Sequence, residues 1–126
     1  FSYIIIIMKK LAISANRTLH IFDVEDLIYF SVSTEKTNSS DIVLSGNRRL
    51  TVHKSVSELY QLFSPVYGNN LEKVTRDACI NLSCVYELSY DGVLRLTDRK
   101  DLNRHYKIFI HSRTRINELM KKLMGC

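Results

Sequence analysis

The residues in this sequence best suited to chemistry are cations set beside short polar side chains, and they fall in three places. His111, Ser112, Arg113, Thr114 and Arg115 lie between the end of a predicted strand and the start of a predicted helix. A guanidinium in such a protruding junction can offer its fork to two acceptors at once, guanine O6 and N7 or two phosphate oxygens, and the Ser112 and Thr114 hydroxyls add short donors beside it. Arg113 and Arg115 oppose the positive end of the helix dipole, so an external anion accounts for them better than solvent does. Lys73, Thr75, Arg76 and Asp77 form a second cluster, where the apolar register is interrupted just before Ala78, Cys79, Ile80 and Asn81. Arg76 can serve a ligand there or pair with Asp77 or another nearby acid, and the residues leave both open. The third place is a polar loop, Thr34, Glu35, Lys36, Thr37, Asn38, Ser39 and Ser40. Its Asn, Ser and Thr side chains are donors of the kind that enter a nucleic-acid groove, although polar loops are ordinary features of surfaces.

Catalytic and metal-binding patterns are missing from the same sequence. His20, His53, His105 and His111 have neither HExxH nor clustered Cys/His spacing; His105 and His111 could share a strand face, which makes a weak metal pair. Glycines 46, 68, 92 and 125 are too scattered for a phosphate-cradling loop, and no GxSxG or paired-carboxylate arrangement stands out. The expectation is a protein that is not an enzyme and takes no cofactor or metal. Cys79, Cys84 and Cys126 are odd in number and contain no CxxC pair, which argues against a disulfide framework or zinc ribbon. Cys79 and Cys84, inside the apolar run ACINLSCVYEL, read as buried small hydrophobes, and Cys126 as an exposed, inert thiol.

Charge is distributed unevenly. The formal net charge is +5, yet the segment from Arg95 to Lys122 holds nine of the eighteen Lys and Arg against three acids, leaving −1 for the remainder. A basic face, more than a basic average, is the footprint of a nucleic-acid binder, while a solvated face with no partner is the plain alternative.

The elements that must position these residues are mostly strands. Alternating or β-branched runs recur at 11–14, 18–22, 27–32, 41–44, 49–53, 85–90, 93–97 and 106–111. Asp91-Gly92 between two such runs is a strong hairpin signal, and Ser45, Gly46 and Asn47 mark a second tight connection. Two segments break the pattern. Ser55 with Glu58 forms a capping box ahead of Leu59, Leu62 and Phe63 at helical spacing. Thr114 is expected to cap a second helix whose stripe is Ile116, Leu119, Met120 and Leu123, with Arg115, Lys121 and Lys122 facing out. Both helices are short and should cover sheet faces, and PVYGNN (65–70) reads as a loop.

With 126 residues, 45% of them hydrophobic, and no repeat or low-complexity tract, residues 11–126 read as one domain with an adequate core. Residues 1–10, FSYIIIIMKK, are a separate apolar segment. It falls short of the ~20 residues of a membrane-spanning helix and lacks a signal-peptide cleavage site. Tyr3 to Met8 followed by Lys9 and Lys10 reads as a β-strand, as vector-derived residues, or as the cytoplasmic end of a truncated transmembrane helix.

Taken in order, EDLIYF (25–30), a polar loop, GNRRLTVHKSVSELYQLF (46–63), LEKVTRDACINLSCVYEL (71–88), YDGVLRLTD (90–98) and IHSRTRINELMKKL (110–123) resemble the LytTR DNA-binding domain. That family runs from an "eDI.yie" strand through an "sL.eLe..L" helix, "F.RvHRSylVNl.yI" and a hairpin to a closing "vSR.r...l...l". The resemblance spans about residues 20–123 and implies a mainly β, elongated arrangement of antiparallel strands with two short amphipathic helices. It also implies that loops, not a recognition helix, enter the major groove of double-stranded DNA. Arg113 matches the Arg of "SR", Arg76 the position before the Ser of "HRS", and Lys73 the family's Arg; the loop Lys36, Thr37, Asn38 and Ser39 matches the early contacting loop. The His and Ser of "HRS" are Thr75 and Asp77 here, and an acid beside phosphates is repulsive unless Arg76 or Lys73 neutralises it.

The expected function is therefore sequence-specific binding of double-stranded DNA as the output domain of a bacterial transcription regulator of the response-regulator type, in the cytoplasm. Lys36, Thr37, Asn38, Ser39, Lys73, Thr75, Arg76, Arg113 and Arg115 are the expected contacts. Homodimerisation on DNA is implied by the resemblance, and membrane attachment follows only from the truncated-helix reading of residues 1–10. The alternative is a β-rich interaction module that binds a peptide or an acidic membrane surface through the C-terminal basic segment.

Overall fold

The computed structural model describes residues 4–7, as backbone, and 10–125. Three antiparallel sheets make up the domain. A five-stranded sheet at the centre is built from β4 (Leu27–Val32), β5 (Ser40–Leu44), β6 (Arg48–Val52), β7 (Leu71–Thr75) and β8 (Ala78–Asn81), in the order β6-β5-β4-β8-β7. On one side lies the sheet β1 (Ile4–Ile7), β2 (Lys10–Ala15) and β3 (Thr18–Asp23), and on the other a sheet of β9 (Val85–Leu88), β10 (Val93–Asp98) and β11 (Asp101–Phe109) in the order β11-β10-β9. Helices α1 (Val56–Tyr67) and α2 (Arg113–Leu123) complete the two flanks. The strands and two amphipathic helices agree with the mainly β expectation, and 4–7 form a strand paired to β2, the first of the readings for that segment.

Period-two alternation on the central sheet divides the interior into two cores. Phe30, Ile42, Leu50 and Cys79 point one way and pack with β2, β3 and α1; Val43, Val74 and Ile80 point the other way against β10 and α2. A register shift between Leu27 and Tyr29 sends Ile28 and Tyr29 both to the second core while Leu27 stays in the first, which is what the extra residue of a β-bulge does.

Helix α1 begins as its sequence predicts. The Ser55 hydroxyl accepts from the Glu58 amide (3.1 Å) and the Glu58 carboxylate accepts from the Ser55 amide (3.0 Å). It does not end where expected, because it continues through Pro65 to Tyr67. Proline removes one helical donor and crowds the preceding turn. Here the last turn is retained by tertiary contacts: Tyr67 is buried beside Phe63 and its hydroxyl donates to the Val24 carbonyl (2.7 Å). The expected loop 65–70 is thus helix up to Tyr67 and a short 3-10 turn from Gly68 to Asn70.

Three further expectations change. The cap of α2 is Ser112, whose hydroxyl accepts from the Arg115 amide (3.2 Å), so Thr114 lies inside the first turn. Strand β11 begins five residues before the expected 106 and ends at Phe109, leaving His111 in the connection to α2, off the face that carries His105. Arg115 does not face out; its guanidinium is drawn onto Glu72. Cys79 and Cys84 are buried as expected, and burial pushes the Cys79 thiol up to about 12, whereas Cys126 lies outside the described residues. No described helix is long and apolar enough to cross a membrane.

Candidate nucleic-acid interface

One end of the central sheet gathers the connections that carry two of the three polar clusters, together with the one that leads into α1. The loop 33–39 joins β4 to β5, Arg76 and Asp77 join β7 to β8, and residues 53–55 lead from β6 into α1. Antiparallel pairing places these connections at the same end, and hydrogen bonds fasten them together. The Val32 amide donates to the Asp77 carbonyl (3.0 Å), the Ser40 hydroxyl to the Lys54 carbonyl (2.7 Å), and Lys73 Nζ to the Ser57 hydroxyl (2.8 Å).

Loop 33–39 is held in shape by its own short side chains. The Ser33 amide closes it by donating to the Ser39 carbonyl (2.9 Å), and the Ser33 hydroxyl accepts from the Glu35 and Lys36 amides (3.3 and 3.2 Å). Asn38 sits at φ 56°, a left-handed conformation that Asn tolerates better than most residues. This geometry exposes Lys36, Thr37 and Asn38. It buries Ser39, whose hydroxyl donates back to the Thr37 carbonyl (3.3 Å), so of the four loop residues Ser39 is the one turned inward.

Two clefts flank the β7–β8 turn. The larger, about 680 Å³, is lined by Lys73, Thr75 and Arg76 on one side and His111, Ser112 and Arg115 on the other, over a floor of Val74 and Ile110. The second, about 270 Å³, runs between Asn38, Ser39, Arg76, Asp77 and the start of α1 at Ser55 and Ser57. Arg76 borders both clefts and its side chain is 92% exposed; its ion pair with Asp77 is long, at 4.0 Å, and adds little to stability. The structure therefore brings the second and third clusters together around Arg76 and sets the 111–115 junction across the larger cleft.

What holds that junction in place is an acid that sequence reasoning passed over. Glu72 is inward on β7, on the same face as Val74, and accepts from both Arg115 and Lys122 of α2. Arg115 Nε also donates to the Lys73 carbonyl (3.2 Å). Burial disfavours the Glu72 carboxylate, but the hydrogen bonds from Lys122 and Arg115 outweigh it and lower its pKa below the ordinary glutamate value. The anion opposite Arg115 is thus supplied by the chain itself. Reading 71–75 as a strand would have exposed the signal, since Glu72 then falls on the apolar parity of Val74.

Arg113, one residue inside α2, is exposed and donates to the Tyr90 carbonyl at the tip of the β9–β10 hairpin. That tip needs its glycine: at Gly92, φ is 95° and a Cβ would stand 2.1 Å from the Ile110 carbonyl oxygen. The Ile110 amide in turn donates to the Gly92 carbonyl (2.8 Å). The hairpin thereby fixes the point where the chain leaves β11 for the junction. Among the described residues no group of three or more His, Cys, Asp or Glu could hold a metal ion.

The fold has a known counterpart. The chain superimposes on the LytTr DNA-binding domain of a Bacillus cereus protein described as a methyl-accepting/DNA response regulator, with a TM-score of 0.59 over 94% of this chain and 98% of that one. Identity between the two is 11%, so the likeness establishes a shared fold. No family model and no curated protein matches the sequence. The architecture defined here, three antiparallel sheets with two flanking helices and connections gathered at one end, is the LytTr fold.

Proposed function

We propose that this chain binds double-stranded DNA sequence-specifically through the basic end of its central sheet, acting as the output domain of a bacterial transcription regulator in the cytoplasm. The observation that carries the reading is the convergence on one surface of loop 33–39, the Arg76 turn and the start of α2, in a fold shared with a LytTr DNA-binding domain. Lys36, Lys73, Arg76 and Arg113 supply phosphate attraction, and the exposed Thr37 and Asn38 of loop 33–39, Arg76 of the β7–β8 turn and Arg113 at the start of α2 read base edges in the major groove. Ser39 and Thr75 shape their loops from within, and Arg115, held by Glu72, orients the junction while lining the cleft.

Selection of binding oligonucleotides at two salt concentrations, with wild type, Arg113→Ala and Arg76→Ala, tests this. An enriched motif that weakens with rising salt and loses about tenfold or more in affinity with Arg113→Ala supports sequence-specific binding. Weak binding without enrichment, indifferent to both substitutions, would overturn it in favour of a β-rich module that binds a peptide or an acidic membrane surface.

A further inference from the structure

The basic end also carries acids, and they are treated differently. Asp41 accepts from the Thr51 hydroxyl (2.7 Å), Glu58 is engaged by the capping box of α1, and Glu72 is held by Arg115 and Lys122. Glu35 and Asp77 remain exposed. Of these two, Asp77 has the more closely determined position. Its amide donates to the Thr75 hydroxyl (3.1 Å), its carbonyl accepts from Val32 (3.0 Å), and it stands on a two-residue turn between paired strands. Its carboxylate is 66% exposed, with the Arg76 guanidinium 4.0 Å away.

A carboxylate held at the front of a DNA-binding surface is repelled by phosphates unless it reaches a hydrogen-bond donor. In the major groove the donors are the amino groups of cytosine (N4) and adenine (N6), and a carboxylate that only accepts pairs with cytosine N4; guanine O6 and N7 and thymine O4 are acceptors and repel it. Arg76, beside it and 92% exposed, neutralises the charge and offers the complementary fork. We propose that Asp77 is a base-reading residue that accepts a hydrogen bond from cytosine N4, so that the Arg76-Asp77 turn selects a C·G pair within the bound site. This rests on the DNA-binding reading and adds the base that its middle contact reads.

The test compares motifs selected by wild type, Asp77→Asn and Glu35→Gln, followed by competition with a duplex in which the selected cytosine is N4-methylcytosine, whose methyl group replaces the outward amino hydrogen. Asp77→Asn is expected to lower the preference for cytosine at one position by about tenfold while leaving the others in place. N4-methylation should weaken wild type and spare Asp77→Asn, and Glu35→Gln should raise affinity for all sequences alike. An Asp77→Asn motif identical to wild type, with affinity raised uniformly as for Glu35→Gln, makes Asp77 a mere surface charge and overturns the proposal while DNA binding stands. Absence of any wild-type motif removes the DNA-binding reading and the proposal with it.

Discussion

The two ends of the central sheet use the same residue types to opposite effect. At the end that carries loop 33–39 and the β7–β8 turn, Lys36, Thr37, Asn38, Arg76 and Asp77 project into solvent. At the other end the polar groups are consumed by the fold. Asp98 is fully buried and accepts from the Gly46 and Lys100 amides (both 2.9 Å), tying the β5–β6 turn to the β10–β11 turn. Asn81, also buried, donates to the Leu27 carbonyl (2.9 Å) and accepts from the Ser83 amide (3.1 Å). Lys100 pairs with Asp23 (3.5 Å) and with Asp26, and Arg99 reaches the Glu25 carbonyl (3.4 Å). The lesson is that clustered charge alone does not mark a site. At one end the buried Asp98 and Asn81 are satisfied by partners within the fold; at the other, Lys36, Thr37, Asn38, Arg76 and Asp77 are exposed on backbones that hydrogen bonds hold in place.

The sharpest way to break this contrast is at Asp98. Asp98→Ala removes a buried acceptor from several backbone donors and is expected to cost roughly 3 kcal/mol. It should lower the midpoint in urea while DNA affinity per folded molecule stays unchanged. A matched loss of affinity would show that the two ends are coupled.

Glu72 tests the boundary between structural and exposed charge, because it is only partly buried and holds Arg115, which lines the cleft. Glu72→Gln should cost about 1–2 kcal/mol, less than for a fully buried pair because Lys122 and Arg115 remain partly hydrated. The pH dependence has a definite sign. The pKa of Glu72 is lowered in the folded chain, so its contribution is present above the ordinary value of 4.5 and is lost as pH falls through the lower folded value. The stability gap between wild type and Glu72→Gln, measured by urea unfolding across that range, should close on acidification. A gap that holds constant would mean the ion pairs contribute nothing.

The smallest stability effect is expected at Arg76. Arg76→Ala should change unfolding free energy by less than about 0.5 kcal/mol, since its ion pair is exposed and long. DNA affinity should nevertheless fall, and the slope of log affinity against log salt should drop by about one if the contact is to phosphate. A large stability loss would place Arg76 among the structural charges and erase the contrast.

Much of this was legible beforehand. The strand runs between 11 and 53, at 85–90 and 93–97, and the later half of β11 announce themselves by β-branched alternation, the Ser55–Glu58 box by its spacing, and the hairpin at Asp91-Gly92 by the need for a positive φ. The interruption at Arg76 and Asp77 was visible as a break in apolar register, and it is a turn. Less accessible were the features that depend on a distant partner. Pro65 signals a loop by local rules, yet Tyr67 continues the helix because its ring and hydroxyl find Phe63 and Val24. Thr114 is the expected cap of the second helix, but Ser112 takes that place, its hydroxyl accepting from the Arg115 amide. Arg115 looks like a free cation until Glu72, forty-three residues earlier, is brought under it.

By itself, then, the amino-acid sequence determined the local matters: which stretches extend, where helices can start, where glycine is required, and that no metal or nucleophile motif is written into it. These follow from periodicity, capping and φ preferences within a few residues. Which cations remain exposed, which acid turns inward, and which three loops share one surface were decided by tertiary structure. Antiparallel order alone sets which connections lie side by side, and the burial of a charge depends on a partner that no local pattern names.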